Sequence, residues 1–216
     1  MDLYVRRINL ELIERRFAPM PHATIPSRRG FINEIAFEIF SHSVRPATSE
    51  LSEESYEWLC ISKARQMLLG LERTDSSDLA DPNDDEMDDA REQLRRLKHF
   101  FRDVSRGQSV EMKPSFSGCG IIDSCEGDVY FEGELFEVKA GDRSVRSVDL
   151  RQLLVYSALN YAERKRDIIS IGLFNPRVGT HFSSNLDEFC SEVSGRPTVE
   201  LLSQIIQIFS SGDISR

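Results

Sequence analysis

The sequence predicts an α/β fold in which a mixed central sheet is flanked by helices, and three stretches carry the prediction. Residues 128–140 read as two short strands around a glycine. Residues Val148 to Arg166 read as an amphipathic helix, and the apolar run Ile168 to Phe174 directly after it has the pattern of a central strand reached by a crossover. With 216 residues and ordinary apolar content the chain can bury one substantial core, so a single domain spanning 1–216 is expected.

Taken in order, apolar spacing predicts a helix near 31–43, a second from about Ser52 to Leu71 and a third from about Glu86 to Val104. These make up a helical N-terminal part, about 1–107, with no internal repeat; the two later helices read as an insertion between the first helix and the sheet. Glu72 to Asp89 is densely acidic, holds Pro82, and reads as a solvated linker or mobile loop; as an acidic surface it could also mimic nucleic acid and shield a site. The remaining part, about 108–216, predicts strands near 110–116, 128–132 and 135–140, the helix from Val148, strands at 168–174 and 178–183, and closing helices at 185–194 and 198–210.

The stretch from Asp128 to Lys139 carries the most chemical information. Strand alternation sends Glu137 and Lys139 to one face and Phe136, Val138 and Ala140 to the other. Burying a carboxylate and an ammonium is costly unless they are paired or bound to a metal. Gly133 lets the chain turn back, so a hairpin would bring Asp128 close to Glu137. Hard carboxylate oxygens suit Mg²⁺ or Mn²⁺, and a nearby lysine can orient or deprotonate an attacking water. The same pattern also describes a solvated strand face with a weak surface ion pair. On the following helix, Gln152 and Tyr156 are four apart and share a face.

Asp128, then Glu137-Val138-Lys139, then Gln152-x-x-x-Tyr156 resembles the PD-(D/E)XK nuclease superfamily, and the helix element resembles its RecB-like branch. The resemblance covers roughly residues 110–182 and implies a restriction-endonuclease-like core. It implies that Asp128 and Glu137 are ligands of a divalent metal, that Lys139 acts on the attacking water, and that Gln152 and Tyr156 help position the site or the DNA. Many members place a further glutamate on a helix before the sheet. Glu34 and Glu38 share one face of the first helix, and Glu34, nearer the helix start, is favoured as an additional metal residue. The chain departs from the family in having Gly127 before Asp128 where a proline is usual. Asp123, five residues upstream, is an alternative ligand; Gly118-Cys119-Gly120 reads as a tight loop near the site.

Four cysteines, Cys60, Cys119, Cys125 and Cys190, lack the close pairs of an iron-sulfur cluster, which argues against that cofactor. The formal net charge of −9 opposes strong phosphate binding by the whole surface, yet Arg143, Arg146 and Arg151 lie around the strand and helix of interest and could contact DNA. The N-terminus lacks the apolar segment of a signal peptide, so a cytoplasmic protein without a membrane partner is expected. The resemblance implies a metal-dependent deoxyribonuclease hydrolysing phosphodiesters through a Mg²⁺-bound water, with Mn²⁺ as a substitute, in a bacterial restriction or phage-defence system. An ATPase or another defence subunit is the expected partner, and a homo-oligomer is compatible. The competing readings are a catalytically inactive nuclease-fold subunit and an acidic helical interaction module.

Overall fold

The computed structural model of the chain describes residues 1–21, 24–44, 52–70 and 76–211. The N-terminus, for which the sequence suggested no specific element, begins with α1 (Asp2–Arg7), continues through a π-helical turn (Ile8–Leu12) and reaches a two-residue strand, β1 (Glu14–Arg15). Helices α2 (Arg29–Val44), α3 (Glu53–Leu69) and α4 (Asp84–Val104) follow, within a few residues of the predicted bounds.

Helix α4 corrects the reading of the acidic run as a linker. Residues 71–75 lie outside the described residues, but the run's second half is the start of this helix. Asn83 caps it: its side chain accepts from the Glu86 amide at 2.9 Å while the Glu86 carboxylate accepts from the Asn83 amide at 3.1 Å. Asp84, Asp85 and Glu86 sit where the helix dipole favours negative charge. Glu86 is gripped by Arg28 at 2.6 and 2.8 Å, and Asp89 is buried against Arg177 at 3.0 Å. Composition alone reads such a stretch as solvated; long-range arginines make two of its acids interior groups.

The expected strand at 110–116 is split into β2 (Glu111–Met112) and β3 (Ser115–Phe116), because Lys113 between them adopts a left-handed backbone with φ of 52°. Then come β4 (Cys125–Glu126), β5 (Val129–Phe131), β6 (Glu134–Val138), α5 (Ser147–Glu163), β7 (Ser170–Asn175), β8 (Thr180–Asn185), α6 (Leu186–Ser194) and α7 (Thr198–Ser211). Six strands form one mixed sheet in the order β1-β8-β7-β6-β5-β2, and β3 pairs with β4 separately. Among the described residues only β6 and β7 run parallel, joined by α5 as the crossover; the other pairs are antiparallel.

The sheet is covered on both faces, so its central strands are apolar on both sides. Leu135, Ile171, Leu173 and Phe182 pack towards α5, where Leu150 and Leu153 meet them. Phe136, Phe174 and Val129 pack the other way onto Phe100 and Phe101 of α4 and Phe40 of α2. There Phe100 stacks on Phe174 with centroids 3.9 Å apart. Helices α2, α3 and α4 share a second core around Ile32, Ile35 and Ala64. The chain is therefore α/β, with helices on both faces of a mixed sheet. Among the described residues, no helix is long and apolar enough to cross a membrane.

Candidate active site

The site begins with a hairpin. Phe131 pairs with Glu134, and the two residues between them, Glu132 and Gly133, both have positive φ, 42° and 88°, as a two-residue turn matched to strand twist requires. The register continues through Tyr130 with Leu135 and Val129 with Phe136. One step further it sets Asp128 opposite Glu137.

Strand β6 lies between β5 and β7 near the middle of the sheet, which leaves Glu137 only 2% exposed. Its Oε2 accepts from Lys139 Nζ at 3.0 Å, while its Oε1 is buried without a hydrogen-bond partner. Asp128 Oδ2 accepts from the Val138 amide at 2.7 Å, locking the carboxylate onto β6. Lys139 Nζ also donates to Gln152 Oε1 at 2.6 Å, and Gln152 Nε2 donates to the Tyr156 hydroxyl at 2.7 Å. An ammonium only donates, so Gln152 must turn its oxygen to Lys139 and its amide nitrogen to Tyr156. The Tyr156 ring stacks on Phe116 with centroids 5.1 Å apart. Five residues from a hairpin and the following helix thus form one connected set.

Helix α2 brings a further carboxylate. Glu34 has a buried Oε1 without a hydrogen-bond partner. Burial pushes its pKa up to about 7; Lys113 opposes the rise, and the charges of Glu38 and Asp128 add to it. Glu38, one turn later, is buried and forms a salt bridge with Lys113. Of the two glutamates on this face, Glu34 keeps an oxygen unengaged and Glu38 is committed to a lysine. Asp128 and Glu137 are likewise raised, in each case first by burial; Glu137 also feels the Asp128 charge, and the two titrate as a pair. Burial also raises the Tyr156 phenol, with Glu137 adding to the shift.

Lys113 is the site residue that sequence reasoning missed. It lies 15 positions before Asp128, and its amide donates to the Asp128 carbonyl at 2.9 Å while its side chain reaches α2. A lysine between two short strands gives no periodic signal. The other candidates spread out. Asp123 is exposed on the loop before β4. The glycine-rich loop at 118–120 packs on the closing helix: the Ile121 amide donates to the Phe209 carbonyl at 3.0 Å, and a Cβ on Gly120 would come within 1.9 Å of that oxygen. Gly120 is required by the approach of α7 and Gly118 by the backbone of residues 122–124, which accounts for both glycines without a phosphate. Arg143 makes two hydrogen bonds to Asp149, 2.6 and 2.7 Å, so its charge is met locally; Arg146 and Arg151 are exposed around the start of α5.

Beyond Lys139, the ends of the parallel strands open into a cavity of about 450 Å³ walled by Val138, the 139–145 loop, Asn9, Ile13 and Arg15. Clefts at the carboxyl ends of parallel strands are the usual ligand positions of α/β sheets. The donor chemistry suits a hard divalent ion: Asp128 and Glu137 are adjacent oxygen donors, and the unpartnered Oε1 atoms of Glu137 and Glu34 are acceptors that burial leaves without compensation. Among the described residues no three His, Cys, Asp or Glu side chains converge as a complete metal cage. Two carboxylates with the remaining positions left to water is the set Mg²⁺ favours. No protein-family model matches the chain, and a search of curated proteins finds no match either.

Proposed function

We propose that this protein is a Mg²⁺- or Mn²⁺-dependent nuclease that hydrolyses phosphodiester bonds in DNA. The observation that carries the reading is the connected set of Asp128, Glu137, Lys139 and Gln152, in which the half-buried Asp128 carboxylate faces the buried Glu137 carboxylate, whose Oε1 has no partner. Buried carboxylates crowded together destabilise a fold, so their presence supports a cation-binding role.

Asp128 and Glu137 would hold the ion, with Glu34 behind them, and the ion supplies Lewis acidity and charge neutralisation to a phosphodiester and an attacking water. Lys139 carries three N–H donors, two of them engaged by Glu137 and Gln152, which leaves the third to hold a water or a phosphate oxygen. Gln152 orients that ammonium, and Tyr156 in turn fixes the Gln152 amide. Arg146 and Arg151, exposed around the start of α5, would contact the DNA backbone. A restriction or phage-defence setting, with DNA captured by an ATPase or other partner subunit, fits a chain of net charge −9.

The test is cleavage of supercoiled, linear and single-stranded DNA with Mg²⁺ or Mn²⁺, comparing the wild type with Glu137→Ala and Lys139→Ala. The expected result is metal-dependent cleavage lost in both variants. Equal cleavage by wild type and variants would assign the activity to a contaminant and overturn the reading.

A further inference from the structure

The residues directly after Lys139 are held by three side chains from two distant parts of the fold, α2 and the end of β7. Asn33 Nδ2, on α2, donates to the Ala140 carbonyl at 2.9 Å; Asn175 Nδ2, at the end of β7, donates to the Gly141 carbonyl at 2.6 Å; and Arg29 forms a salt bridge with Asp142. Behind Asn33 stands Arg177, fully buried, whose Nη2 donates to Asn33 Oδ1 at 2.8 Å and whose Nη1 donates to Asp89 Oδ2 at 3.0 Å. Asp89 is in turn fixed by Thr24 at 2.5 Å and Gln93 at 3.0 Å.

The direction of this relay follows from chemistry. A guanidinium has donors only, so Asn33 must present its oxygen to Arg177, and its amide nitrogen is then forced towards the Ala140 carbonyl. Asn175 is oriented the same way, because its Oδ1 accepts from the Arg177 and Val178 amides at 3.0 Å each. Both amides are thus preset to grip the loop that carries the backbone away from Lys139. Asn33 also precedes Glu34 on α2, so one residue ties the helix bearing that carboxylate to the strand bearing the lysine.

We infer that Asn33, oriented by the buried Asp89–Arg177 pair and assisted by Asn175, is a positioning residue that holds Lys139 in register with the carboxylates. The inference rests on the nuclease reading for its catalytic consequence, though not for its geometric one. It assigns the helical N-terminal part a task in the site: α4 supplies Asp89, and α2 supplies Asn33.

Asn33→Asp and Asn175→Asp test it, because each keeps the acceptor oxygen and the side-chain shape while removing the donor to the loop. In variants that retain cooperative thermal unfolding, kcat for DNA cleavage should fall about tenfold to a hundredfold with KM held within about twofold. The side-chain ammonium resonance of Lys139, assigned with Lys139→Arg, should shift in the same variants. Unchanged kcat and an unchanged resonance in the folded variants would overturn the inference. If the wild type cleaves nothing, the nuclease reading falls by itself, and the Lys139 resonance alone decides: a shift supports the positioning role, and its absence overturns it.

Discussion

Two buried polar clusters lie on either side of the loop that follows Lys139, and they are built on opposite principles. Around Asp89 every carboxylate oxygen has a donor: Arg177 and Thr24 share Oδ2, and Gln93 takes Oδ1. Asp89 and Arg177 side chains are each 1% exposed, so the pair is fully desolvated yet matched in charge, although Arg177 Nε and Gln93 Oε1 are buried there without a partner. Around Glu137 the balance is reversed. Asp128, Glu137 and Glu34 outnumber the cations they meet, and oxygens of Glu137 and Glu34 are buried without donors. A matched cluster fixes geometry, whereas one left short of positive charge is the arrangement the proposed cation would complete.

The largest effect expected from this contrast is at the matched cluster. Arg177→Met keeps much of the volume but strands the Asp89 carboxylate, and should cost about 3–5 kcal/mol in urea unfolding. A loss below 1 kcal/mol would mean that the pair is not the structural half of the comparison.

The next effect is a pH dependence of the metal-free protein. Glu34 has a folded pKa of about 7 against an ordinary value of 4.5, raised first by burial. Between those values the folded state binds more protons than the unfolded one, so this group makes stability fall as pH rises from about 4.5 to about 7, by about 1–3 kcal/mol with the upper figure undiscounted for residual exposure. Asp128 and Glu137, also raised, act in the same direction. Denaturant melts from pH 4.5 to 7.5 should show this decline in wild type and a shallower one in Glu34→Gln; parallel curves would remove Glu34 from the charge-excess cluster.

A smaller effect of opposite sign is expected for Glu137→Gln. Removing one of the facing carboxylates should stabilise the metal-free fold by about 1–2 kcal/mol, while abolishing DNA cleavage. Destabilisation instead would show that the Lys139 ion pair outweighs the repulsion from Asp128. The least effect belongs to Asp123→Asn: on an exposed loop it should change stability by less than about 0.5 kcal/mol, and leave cleavage intact. Loss of cleavage in that variant would move the ligand assignment to Asp123.

The two clusters also differ in how far the sequence reveals them. Asp128, Glu137 and Lys139 belong to one hairpin, and Gln152 and Tyr156 to the helix after it. Period-2 alternation, a glycine turn and i,i+4 spacing therefore suffice to bring them together. The three-layer architecture is readable for the same reason, since the apolar runs of β6, β7 and α5 are strong local signals. Asp89 and Arg177 are 88 positions apart, and Glu38 and Lys113 are 75 apart. No local pattern ties such partners, and so Asp89 reads as part of a solvated acidic run. Strand β1 is two residues long and exists through its pairing with β8, Glu14 opposite His181, which periodicity cannot anticipate.

Calorimetric titration with Mn²⁺ at pH 8, on the wild type, Asp128→Asn and Asp123→Asn, tests most directly whether the second cluster is a cation site. Saturable binding by the wild type is expected, with binding weakened at least about tenfold in Asp128→Asn and unchanged in Asp123→Asn. Absence of binding to the wild type, or equal binding by the wild type and Asp128→Asn, would contradict a cation site there.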